Sequence, residues 1–385
     1  MSVRKRKWMT RKGEPKEAWI VDYTDQDGDR HIETFDRKKD ADAYAATVKV
    51  DVRQGVHTAP TKSVTVAEGG QNWIKRVEAN GMRGKGPVEE GTLYQYRQHL
   101  NLYIAPRLGG IKLANLTKTG VENFRDYLLG SMSRALARKV LTSFKSILKA
   151  ANYAHVAADV SIGISKRHKR PIEAGVDFPT PAEVKRIVES TTDTKRRALL
   201  RTAILTGLRA SELRGLRWKD VDLKARELHV RQRADRFCKL GSPKSAMSRR
   251  TVPLAPEVVT DLKEWRIALG PKGELDLVFP NASGRVEQHK SMLESTAPVL
   301  VAAGVLAKDK DGKPRPKYAL HAYRHFFASW CINPVSRGGR GLSAKEVQAL
   351  LGHETIGITM DIYGHLFPRG DDHAELAAST ARLFG

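Results

Sequence analysis

Residues 206–223, TGLRASELRGLRWKDVDL, and residues 351–368, LGHETIGITMDIYGHLFP, decide how the carboxyl-terminal half of this chain folds. In the first stretch, Gly207 lets the backbone turn just before a helix that begins near Arg209. In the second, Tyr363 follows ten residues after the histidine of a Leu-Gly-His sequence. An arginine at a helix start and a single tyrosine are usually ordinary surface or core residues. Each stretch alone is therefore weak evidence for a functional site.

A third motif lies between these stretches. The sequence HAYRH, residues 321–325, puts His321 and Arg324 three positions apart. Residues three apart share one face of a helix, so the two side chains are predicted to lie together.

One β region precedes this motif. Glu227–Arg233 and Arg249–Leu254 have strand-like sequences, with Gly241–Met247 as the predicted turn between them. Residues 177–385 are therefore predicted to form a unit that alternates helices with a small β region.

The amino-terminal end has a different pattern. Trp19–Thr24 and Arg30–Phe35 flank a turn-rich DQDGD sequence, which predicts a β-hairpin. Lys38–Arg53 then repeats apolar residues at helical spacing. Residues 1–60 are therefore predicted to form a hairpin-helix unit that ends in a linker around Pro60.

The middle of the chain is strongly helical in pattern. Apolar residues recur at three- and four-residue intervals in Thr92–Ile104, Lys118–Leu129 and Ser133–Ala154. Residues 65–165 are predicted to form a helical domain, followed by a basic linker rich in proline and glycine. The whole chain is thus predicted to be multidomain and mainly α-helical, with small β elements.

Charge is the strongest compositional feature. The 385 residues include 67 Lys and Arg and 43 Asp and Glu, which gives a formal net charge of +24. Half of that excess lies between Lys195 and Arg250, where 17 basic residues stand against 5 acidic ones. This balance indicates a polyanionic partner, and nucleic acid is the first candidate.

Composition also disfavours other classes. The longest apolar stretch, Ala297–Ala307, contains a proline and a glycine and is far shorter than the roughly 20 residues that span a bilayer. The basic amino terminus lacks the apolar segment of a secretory signal. Cys238 and Cys331 lack the spacing of a disulfide framework or a zinc site. We therefore expect a soluble, cytoplasmic, nucleoid-associated protein without a metal or a membrane partner.

Cleavage of a DNA phosphodiester without a metal requires three kinds of group. These are a nucleophile, cationic donors for the charge on the non-bridging oxygens, and an acid for the leaving oxygen. Tyr363 is a candidate nucleophile, and Arg209 and Arg324 are candidate donors.

The order of these residues resembles that of the tyrosine recombinases, and specifically of phage and genomic-island integrases. The family pattern is an arginine, a lysine in a β-hairpin, His-x-x-Arg, Leu-Gly-His and a tyrosine. The matching residues are Arg209, Lys244, His321, Arg324, His353 and Tyr363. Ala322 and Tyr323 depart from the residues common inside the His-x-x-Arg box, and residues 334–341 lengthen the connection that follows it.

The resemblance implies a task for each unit. Residues 92–117, TLYQYRQHLNLYIAPRLGGIKLANLT, look like part of the core-binding helical domain, which assigns 65–165 to that domain. Residues 1–60 are similar to an arm-type DNA-binding domain. Residues 177–385 resemble the α+β catalytic domain with a carboxyl-terminal tail.

Charge and geometry give the site residues expected roles. Arg209 and Arg324 are expected to clamp the scissile phosphate, because a guanidinium matches two phosphate oxygens and stays protonated. His321 and His353 either donate to the same oxygens or relay a proton from Tyr363, and the sequence does not decide between these tasks.

Two further residues complete the expected site. The family pattern favours Lys244 over Lys239 as the acid that protonates the leaving 5′-oxygen. Glu212 is predicted one helical turn from Arg209, where it holds the basic side chains in place.

The expected reaction gives a 3′-phosphotyrosine and a free 5′-hydroxyl. One ester replaces another, so the step is reversible without ATP, and no cofactor is implied. Strand exchange joins two duplexes with two cuts each, so a tetramer on DNA is expected, with residues 366–385 as a candidate contact to a neighbour. The implied partners are double-stranded DNA attachment sites, further copies of this chain, an excisionase and a DNA-bending host protein.

Three alternatives share part of this pattern. A type IB topoisomerase uses the same tyrosine attack, but the hairpin-helix unit and the integrase-like Leu-Gly-His run argue against it. A non-catalytic DNA-binding regulator conflicts with the complete set of catalytic residues. A transposon resolvase of the same family stays open, because only the extra amino-terminal unit favours an integrase.

Overall fold

The computed structural model describes residues 1–10, 13–53, 55, 59–60, 62–82, 86–163, 170–243, 245–270, 273–368 and 372–384. It is mainly helical, with 54% helix and small sheets, which confirms the predicted fold class. The chain divides into two compact units, Met1–Lys166 and Arg167–Gly385. The three-domain boundaries drawn from the sequence stay a prediction.

A three-stranded antiparallel sheet and one helix begin the first unit. The strands β1 (Ser2–Met9), β2 (Pro15–Thr24) and β3 (Arg30–Phe35) lie in the order β1-β2-β3, and α1 spans Lys38–Arg53. The expected hairpin and helix are present, and β1 is an addition. Its sequence, SVRKRKWM, is mostly exposed and does not alternate clearly between apolar and polar residues, so the pattern did not predict a strand.

The two faces of this sheet have different chemistry. Val21 and Tyr23 of β2 pack against α1 through Ala45 and its neighbours. Side chains alternate across a strand, and the pairing of Arg4 with Ile20 and of Arg30 with Thr24 directs both arginines to the other face. That face of the sheet is therefore basic.

The remainder of the first unit is helical. Its helices are α2 (Val66–Asn80), α3 (Glu90–Gln98), α4 (Ala105–Leu108), α5 (Lys118–Ser131) and α6 (Arg134–Ala150), with a π-helical turn (His99–Ile104) between α3 and α4. The α6 helix ends at Ala150, four residues before the predicted end. Asn152 adopts a left-handed conformation with φ 66°, which a right-handed helix does not include.

The second unit contains nine α-helices and seven short strands in its described part. The helices are α7 (Pro181–Glu189), α8 (Thr194–Thr206), α9 (Ala210–Gly215), α10 (Pro256–Leu269), α11 (His289–Ala302), α12 (Leu320–Ile332), α13 (Ala344–Leu351), α14 (Ile356–Tyr363) and α15 (Asp372–Phe384). The strands are β4 (Val221–Asp222), β5 (Glu227–Val230), β6 (Arg233–Ala234), β7 (Leu240–Gly241), β8 (Arg250–Pro253), β9 (Leu306–Lys308) and β10 (Pro314–Pro316).

The β region is more divided than its sequence pattern predicts. Strand β5 pairs antiparallel with β8, near the two predicted strands. Between them, β6 and β7 form a second short hairpin, so Gly241 pairs with Arg233 instead of lying in a turn. Strands of two residues are too short to show an alternating pattern, which explains the error.

Helix α12 runs through the core of the second unit. It packs against α8 and α13, and Phe326, Phe327, Ala328 and Cys331 are all buried. Polar groups on this helix therefore need partners from neighbouring backbone or side chains. No helix in the described part of the chain is long and apolar enough to cross a membrane.

Candidate active site

The first element of the site is the turn between α8 and α9. Gly207 ends α8 in a left-handed conformation with φ 61° and ψ 21°. A Cβ atom on this residue would lie 2.4 Å from a ring carbon of Phe327, so both the backbone and the space require glycine. The turn puts Arg209 directly before α9, where its backbone N–H donates to Oε2 of Glu212 at 2.9 Å.

Glu212 joins two arginines. Nη1 of Arg209 donates to its Oε1 at 2.7 Å, and Nη2 of Arg250 donates to its Oε2 at 2.9 Å. Burial alone would raise the pKa of Glu212, but the positive charges of Arg250 and Arg209 outweigh it and lower the pKa below its usual value. The carboxylate is therefore ionised and orients both guanidinium groups.

Arg250 also connects separate parts of the unit. Its Nε donates to the carbonyl of Leu350 at 2.6 Å and its Nη1 to the carbonyl of Ser248 at 3.1 Å. This buried side chain thus ties β8 and the segment before it to the end of α13.

Arg324 lies on the buried helix α12. Its Nη1 donates to the carbonyl of Gly207 at 2.8 Å and its Nη2 to the carbonyl of Leu351 at 2.7 Å. These carbonyls lie at the carboxyl-terminal ends of α8 and α13, where helix dipoles favour positive charge. Burial and repulsion from Arg209 lower the pKa of Arg324 to about 9, which still leaves the guanidinium charged at neutral pH.

The Leu-Gly-His motif ends α13. Gly352 adopts a left-handed conformation with φ 64°, and its carbonyl accepts from Nη2 of Arg209 at 3.2 Å. His353 follows it and is buried, with Nδ1 2.9 Å from the hydroxyl of Thr359. Both arginines of the site are thus bonded to the backbone at this helix end.

Tyr363 is the last residue of α14. Its side chain is almost entirely buried, at 1% exposure, and its hydroxyl lies 2.9 Å from Nδ1 of His325. Burial raises the pKa of Tyr363 to about 12, although the positive charges of Arg324 and Arg209 act in the opposite direction. The phenol is therefore protonated in the free protein.

Two imidazoles, those of His325 and His353, lie beside this phenol, and a third, that of His321, lies against His325. Burial, reinforced by nearby positive charge, lowers the pKa of His321, lowers that of His325 to about 4 and lowers that of His353 to about 3. All three rings are therefore neutral at neutral pH and each has a nitrogen that can accept a proton.

These side chains line one open cavity of about 480 Å³. Six of the seven residues expected in the site contribute to its wall: Arg209, Glu212, His321, Arg324, His353 and Tyr363. The seventh, Lys244, lies outside the described residues, and its neighbours Pro243 and Ser245 line the cavity. The rival lysine, Lys239, follows the turn between β6 and β7.

Sequence reasoning missed two polar residues here. His325 is part of the HAYRH motif but has no role in the family pattern, although it lies four residues after His321 and therefore on the same helical face. Arg250 had no motif to identify it. Its partnership with Glu212 depends on strand β8 approaching α9, which no local pattern reports.

The side chains that line the cavity determine which reactions it can support. Fixed guanidinium groups stabilise negative charge, neutral imidazoles accept or donate protons, and a phenol can act as a nucleophile. Among the described residues, no group of three or more His, Cys, Asp or Glu side chains is arranged to hold a metal ion. A fold and a site of this composition define a tyrosine recombinase.

Comparison with known proteins gives the same answer. The sequence profile of the phage integrase family matches residues 178–369, and that of the phage integrase N-terminal SAM-like domain matches residues 84–129. The chain belongs to the phage integrase family of tyrosine recombinases, which are enzymes of site-specific recombination.

Relatives and solved structures agree with this membership. A XerC-like tyrosine recombinase of Caldanaerobacter subterraneus is 25% identical over 88% of each chain. An integrase of Streptomyces ambofaciens is 25% identical over 91% of this chain and 90% of its own length. A lambda integrase tetramer bound to a Holliday junction, at 17% identity, shares the fold with a TM-score of 0.55 over 91% of this chain and 95% of its own.

Proposed function

We propose that this recombinase integrates and excises a mobile element, a phage or a genomic island, by cutting and rejoining double-stranded DNA attachment sites. One observation carries the proposal: two guanidinium groups, three imidazoles and the Tyr363 hydroxyl meet around a single cavity. A phosphodiester has the charge and the size that such a cavity accepts.

The two arginines hold the scissile phosphate. Arg324 uses two of its five N–H groups on backbone carbonyls, which leaves others for phosphate oxygens. Arg209 is bonded to Glu212 and Gly352 and keeps about a third of its side chain exposed, at 34%. The pair neutralises charge that develops on the non-bridging oxygens during attack.

Tyr363 performs the attack. Its phenolic oxygen forms a bond to phosphorus, the bond from phosphorus to the 5′-oxygen breaks, and a 3′-phosphotyrosine results. The number of phosphate ester bonds is unchanged, so a 5′-hydroxyl from the same or another strand reverses the step without a cofactor or ATP. His321 or His353 donates to the phosphate oxygens.

Lys244 protonates the leaving 5′-oxygen. Its sequence neighbours Pro243 and Ser245 line the cavity, which supports this assignment. A general acid is needed there because an alkoxide is a poor leaving group.

The other two domains bind DNA around this reaction. Residues 65–165 act as the core-binding domain and residues 1–60 as the arm-type domain, with 177–385 as the catalytic domain. The basic face of the amino-terminal sheet supports the second assignment, because the side chains of Arg4 and Arg30 are 60% and 65% exposed there.

The active assembly is a tetramer on DNA. Two duplexes with two cuts each need four catalytic tyrosines, and the tetrameric lambda integrase has the same fold. The tail, residues 366–385, contacts a neighbouring protomer. An excisionase and a DNA-bending host protein select the direction, and the enzyme acts in the cytoplasm at the nucleoid.

The test is formation of a covalent adduct. Duplexes tiled across the genomic DNA that flanks the gene are labelled at their 5′ ends, incubated with the full-length chain and resolved on a denaturing gel. We expect a labelled protein adduct on the duplex that contains the attachment site. Tyr363→Phe should abolish the adduct completely and leave binding to duplex DNA unchanged.

The chain offers a matched control. Tyr323 is equally buried, and its hydroxyl has no hydrogen-bond partner in the part of the chain described. Tyr323→Phe should therefore keep the adduct. An adduct that persists in Tyr363→Phe, or an intact chain that forms none on any flanking duplex, contradicts the proposal.

A further inference from the structure

The hydroxyl of Tyr363 is hydrogen-bonded to a histidine outside the motif pattern. His325 immediately follows Arg324, the last residue of the His-x-x-Arg motif, and its Nδ1 is 2.9 Å from the phenolic oxygen. The rings of His325 and Tyr363 are 5.7 Å apart and inclined by 59°, which lets the imidazole nitrogen point at the hydroxyl. His325 is thus in contact with the atom that attacks phosphorus.

His353 also lies beside Tyr363, but its hydrogen bond goes to another residue. Its ring is parallel to the Tyr363 ring, with 7° between the planes and 6.3 Å between the centroids. In the described part of the chain, the hydrogen bond of the phenolic oxygen goes to His325. Nδ1 of His353 is already bonded to Thr359 at 2.9 Å.

His321 lies one helical turn before His325. Its ring meets the His325 ring edge-on, with centroids 4.7 Å apart and planes at 85°. This ring supports His325 from the side, and burial together with nearby positive charge lowers the pKa of both. His321 is left to donate to the phosphate.

We propose that His325 is the catalytic residue that accepts the Tyr363 proton during cleavage, an inference that rests on the proposed function above. As the phenolic oxygen bonds to phosphorus, its proton passes to Nδ1 of His325, which becomes an imidazolium. The leaving 5′-oxygen takes a separate proton from the general acid. In rejoining, the 5′-hydroxyl returns its proton to the general acid as it attacks phosphorus, the Tyr363 oxygen leaves, and His325 returns the other proton to that oxygen.

The charges around His325 make this transfer depend on bound DNA. In the free protein, burial together with His321 and Arg324 lowers the pKa of His325 to about 4, opposed only weakly by Asp177. The pKa of Tyr363 is about 12, so the proton stays on the phenol. A phosphate anion between the arginines offsets their charge and raises the pKa of His325. The nucleophile is therefore activated only when its target is in place.

Two variants separate proton transfer from simple positioning. His325→Asn keeps an acceptor oxygen close to the position of Nδ1 but cannot take up the proton. His325→Ala removes the acceptor and leaves room for a small base. The matched control is His229→Asn, a histidine on β5 that is bonded to Thr251.

The measurement is the single-turnover rate of adduct formation on the flanking duplex that wild-type protein cleaves, with and without added imidazole. We expect both His325 variants to be slower by roughly 10²–10⁴-fold, the range for loss of a general base. DNA affinity should be unchanged, imidazole should restore much of the rate of His325→Ala only, and His229→Asn should behave as wild type.

Each other outcome contradicts the inference. Wild-type rates in His325→Asn would make the residue a positioning residue. Faster cleavage by His325→Ala would mean that the hydrogen bond between His325 and Tyr363 slows the attack. A slow His325→Ala that binds DNA normally but gains nothing from imidazole would also overturn it. Persistence of the adduct in Tyr363→Phe would instead reject the proposed function itself.

Discussion

The ion pairs of the active site and those of the amino-terminal sheet use the same residue types in opposite ways. In the site, the side chains of Glu212 and Arg250 are 3% and 5% exposed, so each needs the other. On the sheet, Asp22 is paired with Arg30, whose side chain is 65% exposed and well hydrated. Buried pairs fix the geometry of a reaction centre, whereas exposed arginines can exchange their partner for a DNA phosphate.

The largest effect is expected on the cleavage rate, in an experiment that distinguishes a proton donor from a fixed positive charge in the site. Lys244→Ala should slow cleavage of ordinary DNA by roughly 10²–10⁴-fold, the range for loss of a general acid. Replacing the bridging 5′-oxygen by sulfur gives a leaving group that hardly needs a proton, so this variant should recover most of its rate on that substrate.

Arg324→Ala serves as the contrast in that experiment. The guanidinium of Arg324 is expected to neutralise charge on the non-bridging oxygens, where loss of one donor raises the activation free energy by roughly 2.7–4 kcal/mol. Sulfur at the bridging position does not replace that donor, so Arg324→Ala should stay slow on both substrates. Lys239→Ala is the matched lysine control and should cleave both substrates normally. Recovery of Arg324→Ala instead of Lys244→Ala would reverse the two roles.

The second prediction tests the buried pair through folding stability. Glu212→Ala leaves the Arg250 charge buried without its carboxylate, and breaking such a pair costs roughly 3–5 kcal/mol. Urea unfolding of the full-length chain measures this decrease in the free energy of unfolding. A decrease below about 1 kcal/mol in the free energy of unfolding would mean that the buried ion pair contributes no more to stability than an exposed one.

The pKa of Glu212 also predicts how folding stability changes with pH. The pKa of Glu212 in the folded protein is lower than the usual carboxyl pKa. The carboxylate therefore contributes fully to the free energy of unfolding above the usual pKa, and this contribution is lost as the pH falls through the pKa of the folded state. Wild-type stability should therefore decline on acidification more steeply than that of Glu212→Gln. Parallel curves for the two proteins would contradict the pKa assignment.

The smallest effect is expected on the sheet. Arg4→Ala combined with Arg30→Ala should leave the unfolding midpoint unchanged and make DNA binding less sensitive to salt. The slope of log affinity against log salt concentration should become shallower by about 0.9 for each DNA phosphate that the protein no longer neutralises. Lys49→Ala, on an exposed position of α1, is the control. An unchanged slope in the double variant would argue against DNA binding by this face.

Local sequence patterns predicted much of this molecule because its motifs lie on short helices with glycine breaks. The spacing of His321 and Arg324 indicated a shared helical face, and Gly207 indicated the turn just before the helix that follows Arg209. Strand β1 was not predicted because half of its residues are charged and no clear alternation results, and β6 and β7 were not predicted because each has only two residues.

Other features depend on tertiary packing and leave no local signal. Whether His321, His325 or His353 contacts Tyr363 is decided by how α14 approaches α12, which involves residues 38 positions apart. The bond between Arg250 and Glu212 likewise spans 38 positions. Such distances lie beyond any helical or strand period.

The carbonyl partners of the two site arginines have a consequence for how this enzyme tolerates sequence drift. Gly207, Leu351 and Gly352 hold Arg324 and Arg209 through backbone oxygens, which every amino acid possesses. Substitution cannot delete these acceptors and can only move them, and at the two glycines almost any replacement does so. We therefore expect that most side chains around the two arginines can be replaced without loss of these hydrogen bonds, whereas replacement of Gly207 or Gly352 displaces the acceptors.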